Sequence, residues 1–110
     1  MAGWFEVKKS SDGQFQFVLK AGNAEPILTS ELYKAKASAL NGIASVQKNC
    51  GQEDRYDRNV AKNGNFYFNL KATNHEIIGT SEMYASVQSR DAGIESVKTN
   101  GVSTVIKDNA

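Results

Sequence analysis

A single cysteine, Cys50, has no partner for an internal disulfide, which accords with a reducing compartment. A single histidine, His75, makes a zinc-type site hard to assemble, because such a site needs several His, Cys or carboxylate ligands converging. Neither sign of charge prevails: 13 basic residues face 12 acidic ones, for a net charge of +1. Strong non-specific attraction to nucleic acid or to an anionic membrane is therefore not implied. No apolar run approaches the roughly 20 residues that span a bilayer. The opening stretch MAGWFEVKKSSDGQF lacks the apolar core of a secretion signal. P-loop, GxGxxG, HExxH and CxxC patterns are missing, so nucleotide, zinc-protease and thioredoxin-like chemistry lack support. These absences set the expectation of a cytoplasmic protein with no cofactor, no bound metal and no membrane partner.

Repetition, by contrast, is plentiful. Shifted by 51 residues, the chain matches itself without a gap: 19 of 39 positions are identical between Asp12–Cys50 and Asn63–Gly101. Average composition gives roughly 5–7% by chance. VLKAGNAEPILTSELY (Val18–Tyr33) answers NLKATNHEIIGTSEMY (Asn69–Tyr84), and GIASVQKN (Gly42–Asn49) answers GIESVKTN (Gly93–Asn100).

Each copy reads as three strands and a helix. Phe15, Phe17 and Leu19 alternate with Gln14, Gln16, Val18 and Lys20, and Phe66, Phe68 and Leu70 with Asn65, Tyr67, Asn69 and Lys71, the period-2 signature of a strand with one apolar face. Preceding strands fall at Trp4–Lys9 and Arg55–Val60, joined to these by Asp-Gly and Asn-Gly turns whose backbones tolerate positive φ. Third strands fall at Pro26–Thr29 and Ile77–Thr80. The lone proline, Pro26, cannot donate a ladder hydrogen bond and so belongs at a strand start or edge. Ser38 and Ser89 are the expected N-caps of two helices, with Asn-Cys-Gly and Asn-Gly expected to end them in left-handed conformation. A closing strand is expected at Thr104–Lys107. About 50 residues bury too little apolar surface to stand well alone, so the two units are expected to share one sheet and one core. The expected domain is 1–110, built of repeats 1–51 and 52–110. Its class is α+β: a mainly antiparallel sheet with both helices on one face, pseudo-twofold symmetric like an isologous dimer joined in one chain.

These phrases, DGQFQFVLKAGNAEPILTSELY with GIASVQKN and NGNFYFNLKATNHEIIGTSEMY with GIESVKTN, resemble the YegP-like family of small bacterial proteins over essentially the whole chain. The resemblance implies tandem β3-α-β units whose C-terminal strands exchange between halves, an assembly that single-unit members form as dimers. It implies no activity, and it carries no catalytic residues to this chain.

The sequence offers few candidates for chemistry. His75 and Cys50 stand outside the repeat, opposite Ala24 and Gly101, and read as a solvated turn residue and an inert helix-end thiol. The best candidates are the repeated loops, Thr29, Ser30, Glu31 and Tyr33 with Thr80, Ser81, Glu82 and Tyr84. Their hydroxyls and carboxylates suit a small polar ligand or a partner protein, and suit turn-stabilising hydrogen bonds still better. Lys20 with Glu25, and Lys71 with Glu76, read as cross-strand surface pairs. The sheet face away from the helices is expected to show Trp4, Gln14, Gln16, Val18, Lys20, Tyr67, Asn69 and Lys71. The leading expectation is a non-enzymatic interaction or small-ligand-binding module, monomeric with pseudo-dimeric halves. A single-stranded nucleic-acid binder using the open sheet face and an enzyme of unrecognised type are the competing readings. Gly42 and Gly93 each cost a helix about 1 kcal/mol relative to Ala. Their presence predicts a close approach there, and predicts that Gly42→Ala destabilises.

Overall fold

Two tight turns begin the construction. In the computed structural model, which describes residues 3–110, Gly13 and Gly64 sit at φ +86, where L side chains are strained. These turns close hairpins between β1 (Trp4–Lys9) and β2 (Phe15–Lys20), and between β4 (Tyr56–Val60) and β5 (Phe66–Lys71). β3 (Pro26–Ser30) and β6 (Ile77–Thr80) follow, then α1 (Lys36–Asn49) and α2 (Val87–Asn100), and β7 (Ile106–Asp108) ends the chain. The seven strands form one sheet in the order β4-β5-β6-β3-β2-β1-β7. All neighbours are antiparallel except β7, which runs parallel to β1. β7 thus leaves the helix of the second repeat and pairs with the first, which is the exchange the resemblance implied. At the centre β3 meets β6 with Thr29 opposite Thr80. Because these two threonines are repeat equivalents, the pseudo-twofold axis passes between them.

One face of the sheet carries the core. Phe5, Val7, Phe17 and Leu19 from one half join Phe68 and Leu70 from the other, all fully buried. Ile43 and Val46 of α1, with Ile94 and Val97 of α2, close over them, so both helices lie on that face. Burying each such side chain stabilises by about 1.5–3 kcal/mol.

The helix ends depart from expectation. α1 starts three residues earlier than an N-cap at Ser38 allows, with Ala35 at the N-cap and no side-chain cap. In α2 the cap is Ser86, whose hydroxyl accepts from the Ser89 amide; Ser89 is therefore the donor's residue and not the cap. The C-cap residues Cys50 and Gly101 are right-handed, at φ −63 and −67. A side chain replaces the left-handed turn. Asn49 and Asn100 each donate Nδ2–H back to the carbonyl four residues earlier, Ser45 and Ser96, at 2.8 Å. Those carbonyls lie within the helical ladder, so the side-chain bond is a second one that holds each asparagine against its own last turn. Their Oδ1 atoms face forward and fasten the start of a strand: Asn100 accepts from Gly3 N–H at 2.8 Å, Asn49 from Arg55 Nε at 3.2 Å.

The repeated glycines mark contact with the loop of their own repeat. A Cβ on Gly42 would stand 2.7 Å from the Tyr33 hydroxyl and 2.8 Å from the Phe17 ring. One on Gly93 would meet the Tyr84 hydroxyl and lie 2.7 Å from its Cζ. The tyrosine of each Thr-Ser-Glu loop therefore lies on the glycine of its own helix. Overpacking costs about 1–3 kcal/mol and outweighs the helix gain of about 1. Gly93→Ala is expected to lower stability in a denaturant melt, and Tyr84→Phe in the same chain is expected to return part of the loss. Strictly additive effects in that double-mutant cycle would show that hydroxyl and glycine do not touch.

At the axis, equivalent positions meet each other. A Cβ on Gly79 would lie 2.9 Å from Leu28 Cγ, and Leu28 is its repeat equivalent. A Cβ on Gly101 would lie 2.8 Å from Sγ and 2.9 Å from Cβ of Cys50, again its equivalent. At both places there is room for one side chain of the pair.

Candidate functional site

The repeated loop is a β-bulge. Val18 pairs with Thr29, but Phe15 pairs with Tyr33, so the β3 side carries one extra residue between the two pairings. The second repeat does the same, with Asn69 opposite Thr80 and Phe66 opposite Tyr84. Where the ladder is interrupted, the serine fills the gap. Ser30 Oγ accepts from Phe17 N–H at 2.9 Å and donates to the Glu31 carbonyl at 2.7 Å. Ser81 bridges Phe68 N–H and the Glu82 carbonyl at 2.9 and 2.8 Å. Both serines are buried. The bulge pushes Glu31 and Leu32, and likewise Glu82 and Met83, into solvent, then returns Tyr33 and Tyr84 to the helix face. Because β3 and β6 are antiparallel, the two loops leave in opposite directions, and Glu31 and Glu82 are not brought together. Thr29 and Thr80 stay inside the sheet, on the face away from the helices, where Thr80 Oγ1 donates to Asn69 Oδ1 at 2.9 Å.

That open face is more self-contained than its sequence suggests. Val18 is 4% and Asn69 8% exposed. Lys20 pairs with Glu6 at 3.4 Å and Lys71 with Asp57 at 3.3 Å, instead of with Glu25 and Glu76. The register shift at Leu19/Lys20 and Leu70/Lys71 removes the expected cross-strand geometry, and the neighbouring first strand supplies the carboxylate. Lys107 lies over the Trp4 ring at 4.1 Å. Each of these lysines is already engaged within the protein, and the face carries acids as well as bases.

Concave surface lies elsewhere, at the boundary of the repeats. A cleft of about 250 Å³ separates α1 from the β5–β6 turn. Tyr33, Ser38 and Asn41 line it from the first repeat, and Asn74, Glu76 and Ile77 from the second. Asn74 is spent on its own turn, where its Oδ1 accepts from Glu76 N–H at 3.1 Å. The Tyr33 hydroxyl, the Asn41 amide and the Glu76 carboxylate have no hydrogen-bond or ion-pair partner among the described residues. The loop tyrosine was legible as a candidate. Asn41 and Glu76 were not, since Glu76 had a more obvious reading as a partner of Lys71.

His75 stands at φ +69 and Ala24, its equivalent, at the same angle, so the position serves a left-handed turn in both repeats. Cys50 is fully buried, and burial raises its thiol pKa, the wrong direction for a nucleophile. Among the described residues no group of three or more His, Cys, Asp or Glu side chains could hold a metal ion. Nor is any helix long and apolar enough to cross a membrane.

Three tyrosines titrate above their ordinary range. Burial is the main cause for Tyr56, whose hydroxyl donates to the Cys50 carbonyl at 2.5 Å, and nearby anionic groups add to it. Burial, then Glu31 and Glu76, raises Tyr33; burial, then Glu82, raises Tyr84. A group raised on folding contributes stability that is present below its unfolded pKa, near 10, and lost as pH rises through the folded value. The midpoint of thermal unfolding is therefore expected to fall above about pH 10. A flat midpoint through tyrosine ionisation would contradict these placements.

The family model described as Domain of unknown function (DUF1508) matches residues 10–57 and again 61–108. The chain belongs to this family. It is a YegP-like protein of the two-repeat kind. The UPF0339 protein YegP of Escherichia coli K12 is 67% identical over 109 residues, covering 99% of each chain. A UPF0339 protein of Acinetobacter baylyi is 68% identical over 108 residues, covering 98% of this chain and 97% of the other. The solution NMR structure of E. coli yegP superposes with a TM-score of 0.94 at 67% identity, over 99% of this chain and 94% of that one. A UPF0339 protein of Shewanella oneidensis gives 0.92 at 63%, over 98% and 92%. The YegP structure is described as that of a protein of unknown function, and none of these descriptions names an enzymatic activity.

Proposed function

We propose that this YegP-like protein is a non-enzymatic, cytoplasmic binding module that takes a small polar ligand in the cleft between α1 and the β5–β6 turn. One observation carries the reading: Tyr33, Asn41 and Glu76 present unpartnered polar ends to a concave site built from both repeats. Small-molecule sites are concave, with a few polar groups that fix orientation. Of the repeated loops, the reading uses Tyr33. The duplication places Tyr84, Ser89, Asn23 and Glu25 at the corresponding positions of the other half, but Ala92 where Asn41 stands. Titration of the isotope-labelled protein with a library of polar fragments, followed by amide chemical shifts, tests it. Shifts are expected to cluster on Tyr33, Asn41, Gly42 and Glu76, and Asn41→Ala, at an exposed helix position, is expected to weaken the response while leaving the fold intact. Shifts scattered over the surface, or confined to Glu31 and Glu82, would count against the cleft.

A further inference from the structure

We infer that the ligand of this cleft is a small alkylamine, its ammonium group held by Glu76, Tyr33 and Asn41; the inference rests on the ligand-binding reading above. The lining is charged in one sense only: Glu76 is ionisable and acidic, Ser38, Asn41 and Asn74 are neutral, and no Lys, Arg or His is among the lining residues. Glu31 adds its charge nearby, since both it and Glu76 act electrostatically on Tyr33. An anion is repelled by such a site and a neutral molecule gains only hydrogen bonds there, whereas a cation gains charge attraction as well. An ammonium group has three N–H donors and no acceptor. The cleft offers matching oxygens from the Glu76 carboxylate, the Tyr33 hydroxyl and the Asn41 amide. Beside them Ile77 is 39% exposed, an apolar surface for the carbon chain of the amine.

Three four-carbon compounds of matched length separate the possibilities: butane-1,4-diamine, butane-1,4-diol and succinate. Each is titrated into the full chain at millimolar concentration, with amide shifts as the readout. The diamine is expected to shift Tyr33, Asn41 and Glu76. Glu76→Gln is expected to weaken it roughly threefold to tenfold, as fits a partly exposed charge-assisted contact. Glu82→Gln, on the exposed loop of the other repeat, is expected to leave binding unchanged. If the diol or succinate occupies the cleft as well as the diamine does, the amine assignment falls and the cleft survives as a ligand site. If Glu82→Gln weakens the diamine as much as Glu76→Gln, the attraction is diffuse and the assignment falls too. If none of the three compounds shifts the cleft, the amine assignment falls, and a blank fragment library would remove the cleft with it.

Discussion

Replacing Ser30 and Ser81 together by alanine is expected to remove about 2–6 kcal/mol of folding stability while every surface contact of the loops stays in place. Each serine hydroxyl accepts from a buried strand amide, Phe17 N–H or Phe68 N–H, at the bulge where the ladder is interrupted. Alanine leaves that donor unpaired among fully buried rings, at a cost of about 1–3 kcal/mol per site. A chain of this length has about 5–15 kcal/mol in total. The double variant should therefore unfold at a markedly lower denaturant concentration, and each single variant should give close to half the change, since the two bulges lie in different repeats. An unchanged midpoint would mean that the hydroxyls are free for another task, and the loops would return as a candidate binding motif in their own right.

The second large effect belongs to the axis. Gly101→Ala places a methyl group within 2.9 Å of the Cys50 side chain and 2.7 Å from the Val97 carbonyl oxygen, in a site with no exposed route of relief. A loss of roughly 1–3 kcal/mol is expected. Gly79→Leu should lose at least as much, against Leu28 and the Thr29 carbonyl. The informative variants are the exchanges. Cys50→Gly with Gly101→Cys, or Leu28→Gly with Gly79→Leu, restores one side chain per pair on the other side of the axis. Each exchange is expected to be more stable than the single change that adds the side chain. Equal destabilisation of single and exchanged forms, by calorimetry, would show that the two sites are not interchangeable.

Much of this fold could be read in the chain because its signals are local. Asp12-Gly13 and Asn63-Gly64 fix two hairpins, and the alternation of Phe15, Phe17 and Leu19 fixes which face is buried. The same holds for the paired helices with glycines at their centres. What escaped reading depends on partners distant in sequence. Ser30 reads as a turn residue ahead of a ligand group, but the strand amide it serves, Phe17 N–H at 2.9 Å from its hydroxyl, is thirteen residues away and gives no local sign. Asn49 reads as a left-handed helix stop, yet its amide reaches back to Ser45 and forward to Arg55 and leaves the backbone right-handed. Glu76 was hidden by its spacing from Lys71, because a one-residue register shift is invisible to a pattern of spacings. The departures of Gly79 and Gly101 from the repeat were visible as differences but had no meaning without the position of the axis.

Those two departures bear on how such a protein can evolve. When two identical chains assemble about a twofold axis, a residue beside the axis faces its own copy, so every substitution there occurs twice. Two leucines at position 28/79 would collide, and two glycines would leave a hole; neither solution is good. Joined in one chain, the halves are free to differ, and each pair here has settled on one filled and one empty member. Once Leu28 met Gly79, and Cys50 met Gly101, neither half could assemble equally well with a copy of itself. The duplication would from then on have been locked in place by packing.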